Sequence, residues 1–110
     1  MKILIADDSA EMRRCVRNVM ALGHEFIECS NGQEAVVAFS LHHPDWVLMD
    51  VEMPGQDGLS AAREIRAAHP DARIVFVTAF DERRLRAAAA QLGQGYVVKS
   101  NLERINQIIG

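Results

Sequence analysis

Five short apolar runs, alternating with amphipathic segments along a chain of 110 residues, constrain the fold more than any other feature. The runs are Lys2–Ala6, Glu25–Cys29, Trp46–Met49, Arg73–Val77 and Gly95–Val98. They are short and carry β-branched or aromatic residues, which favours buried strands. Between them apolar residues recur at helical spacing. Met12, Cys15, Val16, Val19 and Met20 follow an i, i+3, i+4, i+7, i+8 pattern, and Ala35, Val36 and Phe39 repeat its start. Leu59, Ala62 and Ile65 form a third stripe, and Leu85, Ala88, Ala89 and Leu92 a fourth. Leu102, Ile105 and Ile109 close the chain.

The order is therefore βαβαβαβαβα. Single strands joined by single helices imply a parallel sheet covered on both faces, and right-handed crossovers leave few topologies. The expected fold is α/β, a flavodoxin-like (βα)5 doubly wound domain with a five-stranded parallel sheet in order 2-1-3-4-5, the order characteristic of that fold class. Capping signals mark the helix starts. Ser30 with Gln33, and Ser100 with Glu103, fit capping boxes, while Asp57 and Asp81 are placed to accept from free N–H groups. Gly93 and Gly95 punctuate the turn before the fifth strand.

With 49% hydrophobic and 25% charged residues the composition is that of a globular protein, and the length suits one domain, 1–110, with a short final helix ending at Gly110. A formal charge of −3 offers no electrostatic footprint for direct nucleic acid binding. No apolar run approaches the ~18 residues of a membrane span and no signal peptide precedes Met1, so a cytoplasmic location is expected. Cys15 and Cys29 are expected to be reduced. The four histidines show no ligand spacing with the cysteines, so no zinc site is expected.

In doubly wound sheets ligands bind beyond the carboxyl ends of the strands. Asp7 and Asp8 follow the first run, Asp50 the third, Thr78 the fourth and Lys99 the fifth. Singly, each has a plain structural use, as a helix cap, a turn residue or a solvated lysine. Together they place three carboxylates, a hydroxyl and an ammonium on one edge. Two carboxylates ~5 Å apart repel by roughly 3 kcal/mol at an effective dielectric of 20. Lys99 offsets one such charge, and a divalent cation offsets the rest. Hard oxygen ligands in small number suit Mg²⁺. A carboxylate beside Mg²⁺ is a competent nucleophile toward phosphorus, forming an aspartyl-phosphate whose oxygens the metal, Lys99 and Thr78 would hold.

The opening ILIADDS, the segment LMDVEMPGQDGL, VTA at the fourth run and GYVVK at the fifth resemble the receiver domain of bacterial two-component response regulators. The resemblance covers essentially the whole chain. It implies that Asp50 is the phosphoacceptor, that Asp7, Asp8 and Asp50 bind the metal, and that Glu52 adds its backbone carbonyl. Thr78 and Lys99 resemble the pair that senses the phosphoryl group. Tyr96 resembles the switch aromatic that turns inward on activation, with Thr78 making room for it. The implied partners are a histidine kinase or histidine phosphotransfer protein, and an output domain, a downstream protein or a second copy in a homodimer. The implied function is a phosphoryl-accepting switch in a phosphorelay, catalysing at most its own phosphorylation and dephosphorylation, through the face formed by the fourth helix, fifth strand and fifth helix.

Three features depart from the family pattern. Ser100 stands where the family has Pro after its lysine, QLGQGY is one residue short, and the last helix is short. A non-proline cis bond costs ~2.5–4 kcal/mol, so a trans Lys99–Ser100 bond is expected, with Ser100 near the N-cap of the last helix. Arg83, Arg84 and Arg86 lie on one helix as a solvated or partner face, and Phe80 sits at the mouth of the crevice as a lid or partner contact. Two rival readings are a Mg²⁺-dependent phosphohydrolase with an Asp nucleophile and a phosphate-independent interaction module. Such hydrolases usually carry Asp-x-Asp after the first strand, whereas here the two are adjacent. The complete acidic set with Lys99 argues against the second.

Overall fold

Alternation of side chains along five strands sorts the core into two layers, one on each face of a parallel sheet. In the computed structural model, which describes residues 1–20 and 22–109, the strands are β1 (Lys2–Ala6), β2 (Glu25–Cys29), β3 (Trp46–Met49), β4 (Ile74–Thr78) and β5 (Gly95–Val98). The helices are α1 (Ala10–Val19), α2 (Gly32–His42), α3 (Gly58–Ala68), α4 (Arg83–Leu92) and α5 (Arg104–Ile109), and a 3₁₀ turn spans Lys99–Asn101. The sheet order is β2-β1-β3-β4-β5, all parallel, as expected for a flavodoxin-like domain. The end of the last helix at Gly110 lies outside the described residues.

Leu4, Ala6, Val47, Met49, Ile74 and Phe76 pack against α2, α3 and α4 through Phe39, Ala61, Ile65 and Ala89. Ile3, Ile5, Leu48, Val75 and Val97 face the other way and pack on Val16 of α1, on Met20 just after that helix and on Ile105 of α5. Residues one apart on a strand thus serve opposite layers. Among the described residues, the buried polar or charged side chains are Asp7, Asp50 and Thr78, all at strand ends.

The strand ends follow from register. Ala6 pairs with Met49, so the next residues, Asp7 and Asp50, lie side by side beyond the sheet. Thr78 pairs with Val98, which brings Lys99 to the same edge. The ladder runs on past the strands through Asp7 N–H donating to Cys29 O (3.0 Å) and Asp50 N–H to Ala6 O (2.9 Å).

Three helix starts differ from expectation. The cap of α2 is Asn31, not Ser30: Asn31 Oδ1 accepts from Glu34 N–H at 2.9 Å, and Glu34 accepts from the Ser30 N–H (2.8 Å) and hydroxyl (3.0 Å). Moving the start by one residue puts a charged carboxylate rather than the Gln33 amide at the third helical position, where it faces the positive helix end. Asp81 does not cap α4, because Arg86 takes its carboxylate; the cap position is Glu82, which makes no side-chain bond. Ser100 does not cap α5, because Lys99–Asn101 wind into a 3₁₀ turn and α5 begins only at Arg104. The Lys99–Ser100 bond is trans, there being no cis peptide among the described residues. Asp57 caps α3 as expected, accepting from Ser60 N–H at 2.7 Å. Cys15 is exposed, Cys29 buried, and both are free; burial pushes the Cys29 thiol up to about 11.

Candidate functional site

Asp7, Asp8 and Asp50 each bring one carboxylate oxygen within 4.8 Å of the others. Their environments differ. Asp7 is 3% exposed and fully engaged: Oδ1 accepts from Ser9 N–H at 2.9 Å, and Oδ2 meets Lys99 Nζ at 2.7 Å. Ser9 also caps α1, accepting from Met12 N–H at 3.1 Å, so the start of that helix and the orientation of Asp7 are set together. Asp8 is exposed. Asp50 is 5% exposed, and its Oδ2 lies 3.4 Å from Lys99 Nζ.

Burial raises the Asp50 carboxyl to about 6, against the pull of Lys99 and with further help from Asp7 and Asp8. The carboxylate still predominates at pH 7. Burial pulls the Lys99 ammonium down, but its bonds to Asp7 and Asp50 outweigh that and hold it above its ordinary value. One half-buried ammonium therefore answers two buried carboxylates, and the third faces solvent. That hard-oxygen donor set fits a divalent cation such as Mg²⁺. Glu52 lies exposed in the loop after β3, and with Asp8, Met53, Pro54 and Asp57 it lines a cavity of ≈ 400 Å³.

Behind Asp50 the backbone is crowded. Gly58, the first residue of α3, donates its N–H to Val51 O at 2.8 Å, and a Cβ on it would collide with the Asp50 carbonyl. Only glycine fits there.

On the other flank, Thr78 is fully buried and its Oγ1 accepts from Phe80 N–H at 3.3 Å. Phe80 O accepts from the Tyr96 hydroxyl at 2.5 Å, and the Tyr96 ring is 8% exposed beneath the Arg86 guanidinium, 4.7 Å from its centroid. Tyr96 is thus already seated inward. The Phe80 side chain is 40% exposed. Arg86, one of the three α4 arginines, is tied to Asp81 and is not merely a solvated charge.

Asp7, Asp8, Asp50 and Lys99 come together at one sheet edge, and Thr78 ends β4 at that edge with its hydroxyl engaged by Phe80 N–H. Ser9, Arg13 and Gly58 were not singled out from the sequence. An Asp-Gly pair opening a helix signals a close backbone approach and points to Gly58. Ser directly after the acidic pair, three residues before Met12, is a capping signal that points to Ser9.

Residues 3–109 match the response regulator receiver domain family. The chain belongs to that family. Among relatives, chemotaxis protein CheY of Bacillus subtilis is 37% identical over 101 residues, covering 89% of this chain and 84% of CheY. Transcriptional regulatory protein PdtaR of Mycobacterium tuberculosis is 44% identical over 101 residues, and there the match spans only 49% of the relative's length. Response regulator TrrA of Thermotoga maritima, solved in complex with Mg²⁺ and BeF, superimposes with a TM-score of 0.88 at 34% identity, covering 98% of this chain and 95% of TrrA. A LuxR-family two-component response regulator from Aurantimonas gives a TM-score of 0.91 at 29% identity, covering 98% of this chain and 81% of that one. This receiver domain is a phosphoryl-accepting signalling switch of the two-component type. Among the described residues, no helix is long and apolar enough to cross a membrane.

Proposed function

We propose that Asp50 is the residue that accepts the phosphoryl group, from a cytoplasmic histidine kinase or histidine phosphotransfer protein. The observation that carries this reading is the pairing of a buried Asp50 carboxyl with Lys99 and two further carboxylates at one sheet edge. An Asp50 carboxylate oxygen attacks phosphorus and forms the O–P bond. The P–N bond to the donor imidazole breaks, and its electron pair stays on the ring nitrogen.

Mg²⁺ is the cofactor this donor set suits. Asp8 and Asp50 would hold it most directly, with Glu52 adding a backbone carbonyl. Asp7, its two oxygens already taken by Ser9 and Lys99, would contribute mainly through charge and water. When bound, the ion neutralises charge on the phosphoryl oxygens.

Lys99 turns from Asp50 toward one phosphoryl oxygen. Thr78 already accepts from Phe80 N–H, which leaves its own O–H hydrogen to donate to another. That donation links Asp50 to Phe80, whose carbonyl holds Tyr96. Phosphorylation then favours the packing in which this chain of contacts is complete, and the α4–β5–α5 face is its readout, offered to an output domain, a downstream protein or a second copy.

Intact mass after treatment with acetyl phosphate and Mg²⁺ tests the reading. The wild type gains one phosphoryl group and Asp50→Asn gains none. Incorporation into Asp50→Asn at the wild-type rate removes Asp50 from the role.

A further inference from the structure

Arg13 stands in the first turns of α1, where its N–H donates to Ser9 O at 3.0 Å. Its guanidinium reaches back to the loop. One terminal nitrogen donates to the backbone carbonyl of Asp7 at 2.6 Å, and Nε donates to Glu28 Oε1 of β2 at 2.9 Å. Arg17 holds the other Glu28 oxygen at 2.6 Å. Burial works to raise the Glu28 carboxyl, but its bonds to Arg17 and Arg13 outweigh that and keep it below its ordinary value, so it stays charged as an anchor. The Arg13 side chain is only 17% exposed.

The Asp7 carbonyl is half of the planar Asp7–Asp8 peptide. Holding that oxygen fixes the orientation of the plane, and with it the direction in which Asp8 leaves the backbone. Asp7 has its own restraints in Ser9 and Lys99, whereas the Asp8 carboxylate makes no hydrogen bond or ion pair to protein among the described residues. A cation beside a cation site repels the ion, so electrostatics alone gives no reason for an arginine here. Its planar fork, reaching a carbonyl and a carboxylate in different directions, does.

We infer that Arg13 is a positioning residue that aims Asp8 at the divalent cation through the Asp7–Asp8 peptide, with Glu28 as its anchor. The inference rests on Asp8 being a metal ligand, as proposed above.

Charge and position act in opposite senses, which makes the test decisive. The Mg²⁺ dissociation constant is measured by titration calorimetry at fixed ionic strength, alongside the melting temperature without Mg²⁺. Arg13→Lys keeps the charge and loses the fork; Arg13→Gln loses both. Both variants are expected to bind Mg²⁺ roughly tenfold more weakly, as for other groups that orient metal ligands. Glu28→Gln is expected to weaken binding in the same direction by less. Tighter or unchanged binding by folded Arg13→Gln, or wild-type binding by Arg13→Lys, overturns the inference. If Arg13→Gln fails to fold, Arg13→Lys and Glu28→Gln decide alone. A wild-type protein that binds no Mg²⁺ overturns the metal reading itself, a result distinct from normal wild-type binding with unaffected variants.

Discussion

Helices α3 and α4 are nearly equal in length, at 11 and 10 residues, and they flank the same sheet edge, yet they are held in different ways. α3 opens on a made cap, Asp57 to Ser60, and buries Gly58, Ala61, Ala62 and Ile65. Its first residue abuts the backbone of Asp50. α4 opens on Glu82 with no side-chain cap, and only Ala89 is buried, with Leu85 and Leu92 partly so. Its link to the site passes through single contacts: Thr78 to Phe80, Phe80 to Tyr96, and Arg86 over the Tyr96 ring. A helix with few buried apolar contacts opens at low free energy. Asp50 therefore abuts the anchored helix, whereas the proposed reporting surface includes the helix with the shallower burial and no side-chain cap.

The largest expected effect breaks the anchored side. Gly58→Ala drives a methyl group into the Asp50 carbonyl. It should destabilise the domain by about 3 kcal/mol, at the upper end of overpacking effects. Ala87→Ser, an exposed change on α4, should stay within about 0.5 kcal/mol. Urea denaturation of both variants checks the contrast, and equal losses would refute the asymmetry.

Next in size is the stability that the anchored side forgoes. The native Asp50 carboxyl titrates near 6 against an ordinary 3.8, so between those values the folded state binds more protons than the unfolded one. Stability therefore falls as pH rises through that window, and the full loss is present above the native value. Asp50→Asn should stabilise the metal-free protein by about 2–3 kcal/mol at pH 8 and by about half that at pH 5. Unfolding free energies at the two pH values provide the check. A pH-independent gain would mean that something other than the charge is relieved.

Much of this was legible in the chain. The bounds of β1, β2, β3 and β5 coincide with the apolar runs, because a short β-branched or aromatic run between helical stripes has few other uses; β4 is offset by one residue. The convergence of Asp7, Asp50, Thr78 and Lys99 was legible because parallel strands in register must end at one edge. Helix starts were less so, since Ser30 and Asn31 are both competent caps and only the position of Glu34 decides between them. The hold of Arg13 on the Asp7 carbonyl was not legible, since backbone carbonyls leave no mark on the sequence and its anchor Glu28 lies 15 residues away. Nor was the inward seat of Tyr96, which depends on a loop carbonyl and on Arg86.

The smallest expected effect sharpens the comparison at the helix starts. Asp57→Ala removes a cap whose oxygen lies 2.7 Å from Ser60 N–H, and should cost about 1 kcal/mol. Glu82→Ala removes a side chain that makes no cap bond, and should cost almost nothing. Glu82→Asp is the informative third variant. Its shorter side chain suits the N-cap position, where a made bond contributes about 0.5–2 kcal/mol. It should slow amide hydrogen exchange in α4 while leaving α3 unchanged. If α4 owes its looseness to the missing cap, its exchange should approach that of α3. If exchange in α4 does not respond, its shallow burial is the dominant cause, and only larger apolar side chains on its inner face would bring the two helices level.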